Sequence, residues 1–234
     1  MKILFAGPSL YGSNIDLSGL DVRPPAAQGD IADAITDDVT AIGLVDGLFG
    51  STAAVWHKEL LYALSLGIRV LGSSSMGALR AAECAAFGME PVGVIASAYA
   101  SGELDDDAAV ALGHQPPEMG SVPLSEARVD ADATVDELAA IEAISAEEAN
   151  RLRASVAGIH FADRTPEAIV ARASLLPSRE ADVLRLYWAH RVPLKRRDAE
   201  LLVEQLQALP DVRKASPAWV FQRSPLWRQL HPEL

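Results

Sequence analysis

The chain has 234 residues, half of them apolar, a mass of 24.9 kDa and a formal net charge of −12. A chain of this length buries roughly 70–75% of its unfolded surface, and a mean hydropathy of +0.14 excludes general disorder despite the charge. Its single cysteine, Cys84, excludes an internal disulfide scaffold and a cysteine-ligated zinc ribbon, and points to a reducing, cytoplasmic setting.

The opening Met1-Lys2-Ile3-Leu4-Phe5-Ala6-Gly7-Pro8 has an apolar run of four residues, too short for a signal core, so 2–6 reads as a buried strand. Further strands are expected at 41–45, 68–71 and 91–95. Between the second and third of these four strands, 53–66 is rich in Ala and Leu and ends at Gly67, a helix followed by its C-cap. Residues 78–87 form the next helix, closed by Gly88. Short apolar runs alternating with amphipathic ones are the pattern of βα units around a parallel sheet. From 99 to 130 the signal weakens to irregular structure with the acidic triplet Asp105-Asp106-Asp107 and a candidate strand at 123–129.

Beyond this the pattern is helical, at 135–143, 146–156, 166–175, 178–188 and 198–209. Ser145 with Glu148 spells a capping box, Thr165-Pro166 a cap with proline behind it, and Ser178 opens the fourth helix. The last residues, with Trp219, Phe221 and Trp227, read as an extended tail docked by its rings. The expected fold class is therefore α/β, a mainly parallel sheet with flanking helices in 1–130, followed by a mostly helical region, 131–234. No uncharged apolar run approaches the roughly 20 residues that span a bilayer, so no membrane partner is expected. Residues 1–150 carry 6 Lys and Arg against 23 Asp and Glu, and residues 151–234 carry 14 against 9. An acidic front and a sparsely basic back argue against a nucleic-acid partner.

The segment Gly72-Ser73-Ser74-Ser75-Met76-Gly77 joins a strand to a helix. Ser75, with small residues two positions either side, has the form of a nucleophile elbow whose following amides, Met76 and Gly77, would face an oxyanion. The same serines also suit a helix cap or a phosphate-binding turn, and Ser73, Ser74 or Ser9 could serve as nucleophile in place of Ser75. A serine needs a base. Lys58 is a base if desolvated and a surface lysine otherwise; His57 with Asp46 and Ser75 would make an Asp-His-Ser set. Asp46 ends a strand at the carboxyl edge of the sheet, either as a turn-former or as a site residue. Arg80 either pairs with Glu83 one turn away or meets a carboxylate-like group. Asp105–Asp107 with His114 and Glu118 reads as a solvated loop without calcium-loop spacing, and no metal site is expected.

The blocks Pro24-Pro25-Ala26-Ala27-Gln28-Gly29-Asp30, Asp46-Gly47, Val55-Trp56-His57-Lys58-Glu59, Ser74-Ser75-Met76-Gly77-Ala78-Leu79-Arg80-Ala81-Ala82-Glu83, Phe87-Gly88-Met89 and Asp105-Asp106-Asp107 up to His114 resemble, in order and spacing, the core of TfuA-like proteins over roughly residues 1–120. The resemblance implies a partner of YcaO enzymes in peptide backbone thioamidation. There YcaO activates the amide with ATP, and the TfuA-like protein releases sulfide by hydrolysing the C-terminal thiocarboxylate of a ThiS-type carrier and helps YcaO hold its peptide. It further implies a Ser-Lys pair, which falls on Ser75 and Lys58; Met76, Gly77, Ser74, Asp46, Arg80 and His57 are the surrounding candidates that the residues themselves offer, and no cofactor is expected. Two other readings stay open: an adaptor that bridges YcaO and the carrier without catalysis, and a stand-alone esterase-like hydrolase.

Overall fold

The computed structural model describes residues 1–48, 50 and 52–232. They pack as two compact units, the first made of Met1–Leu104 with Asp198–Leu234, the second of Asp105–Arg197.

The first unit holds a five-stranded, all-parallel sheet. Its strands are β1 (Lys2–Phe5), β2 (Asp21–Arg23), β3 (Ala41–Leu44), β4 (Arg69–Ser73) and β5 (Glu90–Val92), in the order β2-β1-β3-β4-β5. β1 and β3 read Lys-Ile-Leu-Phe and Ala-Ile-Gly-Leu and are buried along their whole length, as strands covered on both faces must be. The helices of this unit are α1 (Asp30–Asp33), α2 (His57–Ser65), α3 (Met76–Cys84) and α4 (Gly93–Ser101). Those of the second unit are α5 (Arg128–Ala140), α6 (Ala146–Gly158), α7 (Pro166–Arg172) and α8 (Pro177–Ala189); α9 (Leu194–Ala208) starts in the second range and continues into the first, and α10 (Pro225–Leu230) lies in the first.

Strand alternation sorts the first unit's core into two layers. Ile3, Phe5, Ile42, Leu44 and Val70 face one way, with Ile31, Leu60 and Ala81 of the flanking helices. Leu4, Ala41 and Leu71 face the other way, with Ala199, Leu202, Val203 and Leu206 of α9. The aromatic tail closes the first layer's side. Trp227 is fully buried against Trp56, Tyr62 and Phe221, at ring-centroid distances of 6.0, 5.1 and 4.9 Å. In the second unit α5 to α8 surround Val135, Leu138, Leu152, Val156, Ile169, Val183 and Tyr187.

The parallel sheet and the helical segment agree with expectation, and several details differ: the tail expected to be extended carries α10, α2 begins at His57 and not at 53, and α9 begins at Leu194 and not at 198. The expected strand at 91–95 stops at Val92, because α4 begins at Gly93 with its Val94 and Ile95 amides capped by the Asp198 carboxylate at 3.0 and 2.8 Å. The expected strand at 123–129 is absent: Pro123 makes one isolated bridge to His114, and α5 starts at Arg128. Ser178 is not a cap, since Leu176 holds that position with Pro177 behind it. β2, a half-exposed Asp-Val-Arg at the sheet edge, has too little apolar content to be read as a strand. The Ser145–Glu148 capping box and the Thr165 cap are both present. Among the described residues no helix is long and apolar enough to cross a membrane.

Candidate functional site

The strand order sets the location. From β1 the chain goes to β2 on one side and then crosses to β3 on the other, so the direction of winding reverses between β1 and β3. In open parallel sheets that switch point leaves a crevice at the carboxyl ends of the strands. The turn after β1 carries Ser9, the residue chain after β3 carries Asp46, and the turn after neighbouring β4 carries the serine triplet.

These three segments are joined by hydrogen bonds. The Asp46 carboxylate, 2% exposed, accepts the amides of Gly7 (2.8 Å) and Ser9 (3.0 Å) on one oxygen and the Ser9 hydroxyl (2.7 Å) on the other. The Ser74 hydroxyl donates to Ser9 Oγ at 2.9 Å. An ionised carboxylate only accepts, so Ser9 gives its proton to Asp46 and offers its lone pairs to Ser74. The direction of the chain Ser74 to Ser9 to Asp46 follows. Asp46 therefore braces a neighbouring loop and is not a turn-former in its own segment.

The sharp turn falls on Ser74, one residue before the expected Ser75. Ser74 has φ +65°, and the Ser75 amide reaches back to the Ser73 carbonyl at 2.7 Å, closing a three-residue γ-turn over it. Such a turn with positive φ is rare and strained. Its room comes from two glycines: a Cβ on Gly72 would meet the Gly77 carbonyl at 2.2 Å, and a Cβ on Gly77 would meet the Leu44 carbonyl at 1.7 Å. Read from Ser74, Gly72 is the small residue two positions back. Gly77, expected as the matching small residue on the far side of Ser75, lets α3 touch β3. Ser75 itself is the cap residue of α3, 6% exposed, and its carbonyl accepts the Ala78 amide at 2.9 Å. Ser73 lies in β4 and donates its hydroxyl to the Asp198 carbonyl at 2.8 Å.

The Gly77 amide is already engaged, donating to the Val45 carbonyl at 3.1 Å. Of the two amides expected to face an oxyanion, Met76 is left, at the first position of α3, where helical geometry supplies no acceptor. The Met76 side chain packs under the loop after β3, so close that a Cβ on Gly47 would stand 2.7 Å from its Cγ.

The remaining side chains of the expected site are bonded to other partners. Lys58 Nζ donates to the Gln222 carbonyl and sits 4.9 Å from the centre of the Phe221 ring, so the C-terminal tail holds its amine. His57 Nε2 lies 2.8 Å from Glu83 Oε2 and not against Asp46, so the Asp46-His57-Ser75 set is not assembled. Arg80 takes the same Glu83 oxygen at 2.7 Å and donates to the Val55 carbonyl at 2.9 Å, the local pairing that its spacing allowed.

Glu59 is an organiser that the sequence reading left unassigned. It is fully buried and accepts the amides of Gly29 (2.9 Å), Ile31 (3.2 Å), Ala32 (3.2 Å) and Trp56 (3.4 Å). Burial raises its carboxyl above the usual glutamate value, and the amides pull it back. One side chain thereby ties the segment around Pro24–Asp30 to the start of α2. In the second unit Asp106 caps Ala108 and pairs with Arg128, while His114 Nδ1 bonds the Gln115 carbonyl. Among the described residues no group of three or more His, Cys, Asp or Glu could hold a metal ion.

A doubly covered parallel sheet with a strained serine turn one strand from its switch point defines a protein of the α/β class. The family model for TfuA-like protein matches residues 46–165, just over half of the chain. The chain belongs to that family. The match contains Asp46, Lys58, Ser74 and Ser75 and extends through α5 and α6, past the last motif legible in the sequence; Ser9 and the Pro24–Asp30 block precede it. No curated protein matches the chain.

Proposed function

We propose that this TfuA-like protein hydrolyses the C-terminal thiocarboxylate of a ThiS-type sulfur carrier, releasing sulfide for a YcaO enzyme in peptide thioamidation, and that Ser74 is the nucleophile. The observation that carries this reading is the γ-turn at Ser74. A strained, non-glycine φ sits at the carboxyl edge of a parallel sheet, two residues before the start of α3, on a serine whose hydroxyl is bonded to Ser9. Attack by Ser74 Oγ on the thiocarboxylate carbon would put charge on the carbonyl oxygen, for which the Met76 amide, at the first position of α3, would be the donor. Collapse expels sulfur as hydrosulfide and leaves an ester on Ser74, which water cleaves to the carrier carboxylate. The lysine of the implied Ser-Lys pair, Lys58, would have to leave Gln222 and Phe221 to take part.

A second reading is an adaptor that joins carrier and YcaO without chemistry. It is favoured by the complete burial of Ser74 and by the engagement of the Gly77 amide. Incubating a thiocarboxylated ThiS-type carrier with the protein separates the two. Intact-mass conversion to the carboxylate, with sulfide released by wild type and lost in Ser74→Ala, supports the hydrolase. Carrier binding without conversion, with a YcaO enzyme present, supports the adaptor.

A further inference from the structure

We propose that the C-terminal segment 215–230 is a self-inhibitory strap: docked, it occupies the Lys58 amine, and hydrolysis proceeds from the minor population in which it has lifted away. The inference rests on Lys58 taking part in the reaction proposed above, and it holds whichever serine of the turn is acylated. Three observations carry it.

First, the strap holds a lysine that stands at the working edge of the sheet. α2 is the crossover from β3 to the parallel strand β4, so its first residues, His57 and Lys58, lie at the carboxyl edge, where β4 runs into the serine turn. His57 bonds Glu83 of α3, the helix that this turn opens. The Lys58 stem is long and flexible, yet its amine is bonded to the Gln222 carbonyl and lies 4.9 Å from the centre of the Phe221 ring.

Second, the strap is held by rings and not by its main chain. Among the described residues, no main-chain amide of 215–223 bonds a main-chain carbonyl, and Val220 is 76% exposed. Trp219 meets Phe87 edge-on at 5.7 Å, Phe221 meets Tyr62 at 5.3 Å, and Trp227 is buried on α10, whose six residues are too few to be helical alone. A segment with few main-chain bonds opens locally without unfolding the sheet. Third, its seat is imperfect. Trp227 Nε1 and His231 Nε2 are buried with no hydrogen-bond partner among the described residues, so docking forfeits bonds that both regain from water on lifting.

With the strap lifted, the Lys58 amine takes the proton of the attacking serine as its oxygen bonds the thiocarboxylate carbon, and gives that proton to sulfur as the C–S bond breaks. Hydrosulfide and the serine ester result, and water cleaves the ester.

A thiocarboxylated ThiS-type carrier is incubated with wild type, Phe221→Ala, Trp227→Ala, Lys58→Ala and the double variant Lys58→Ala with Phe221→Ala, and carboxylate formation is followed by intact mass. The same proteins are treated with an N-hydroxysuccinimidyl ester, and acylation of Lys58, where present, is read by peptide mapping. The observed rate scales with the lifted fraction, and Phe221→Ala removes the ring contacts with Tyr62, Trp227 and Lys58. The strap therefore predicts a maximal hydrolysis rate about tenfold or more above wild type, faster Lys58 acylation, and no gain in the Lys58→Ala background. Damage to the fold alone would lower the rate, and Phe221, half-buried, keeps the test if Trp227→Ala fails to fold. Unchanged Lys58 acylation in Phe221→Ala, a measurable hydrolysis rate that stays level or falls while acylation rises, or a wild-type rate retained by Lys58→Ala would each overturn it. Faster Lys58 acylation in proteins that all leave the thiocarboxylate intact would uphold the strap's hold on Lys58 and overturn the proposed reaction.

Discussion

Gly77 lies against Leu44 so closely that a methyl group on it would stand 1.7 Å from the Leu44 carbonyl oxygen, while the Gly77 amide bonds the next carbonyl, Val45. This contact fixes the start of α3 on β3 and so holds the serine turn in place. Gly77→Ala cannot be absorbed by a side-chain rotation, because the clash is with backbone. We expect a loss of about 3 kcal/mol or more in unfolding free energy, at the upper end of overpacking costs, read as a lower midpoint in thermal or urea unfolding.

Glu59 is predicted to hold the loop before α1. Glu59→Ala leaves the Gly29, Ile31 and Ala32 amides without their acceptor. The expected cost is about 3 kcal/mol, given the penalty for a buried donor left unpaired. Amide hydrogen exchange should show lost protection at those three residues before the rest of the sheet.

How much of this was legible in the sequence differs from residue to residue, for physical reasons. β1 and β3 announced themselves because strands buried on both faces must be apolar throughout, and the serine turn because small residues cluster where a strand meets a helix. The turn centres on Ser74 and not on Ser75, because Gly77 serves a helix-to-strand contact that no local pattern reveals. The Ser9–Asp46 bond joins residues 37 apart, and the cap that Asp198 places on α4 joins residues 104 and 103 apart. Such pairings depend on strand order, which one sequence does not state. Lys58 was legible as a surface lysine or a desolvated base, but its occupation by Gln222 and Phe221 depends on where the tail returns.

Trp227 anchors that tail. Trp227→Ala is expected to cost about 3–5 kcal/mol as a large buried aromatic, and to free Lys58 from Gln222. The rate of Lys58 acylation by an amine-reactive reagent, followed by peptide mass spectrometry, should rise in the variant while other lysines of the first unit stay as they were.

Asp130 gives the second unit a pH signature. Burial pushes its carboxyl up to about 6, with Glu126 pushing further and the Lys195 amide, the Lys195 charge and Arg191 opposing. Between about pH 4 and 6 the unfolded chain gives up this proton more readily than the folded one, so the contribution of Asp130 to stability falls as pH rises through that window and is level above it. Asp130→Asn lacks this loss. Relative to wild type the variant should gain about 3 kcal/mol between pH 3.5 and 7, at roughly 1.4 kcal/mol for each unit of displacement. Denaturant unfolding at the two pH values reads the difference.

The central claim is that Ser74 carries the acyl group of the carrier. The direct measurement is a rapid acid quench of the protein mixed with a thiocarboxylated ThiS-type carrier, followed by intact mass and peptide mapping. The account predicts a transient covalent species, lighter than the sum of the two proteins by one hydrogen sulfide, with the carrier C-terminus esterified to Ser74. An adduct mapped to Ser75, or sulfide release that persists in Ser74→Ala, would contradict it.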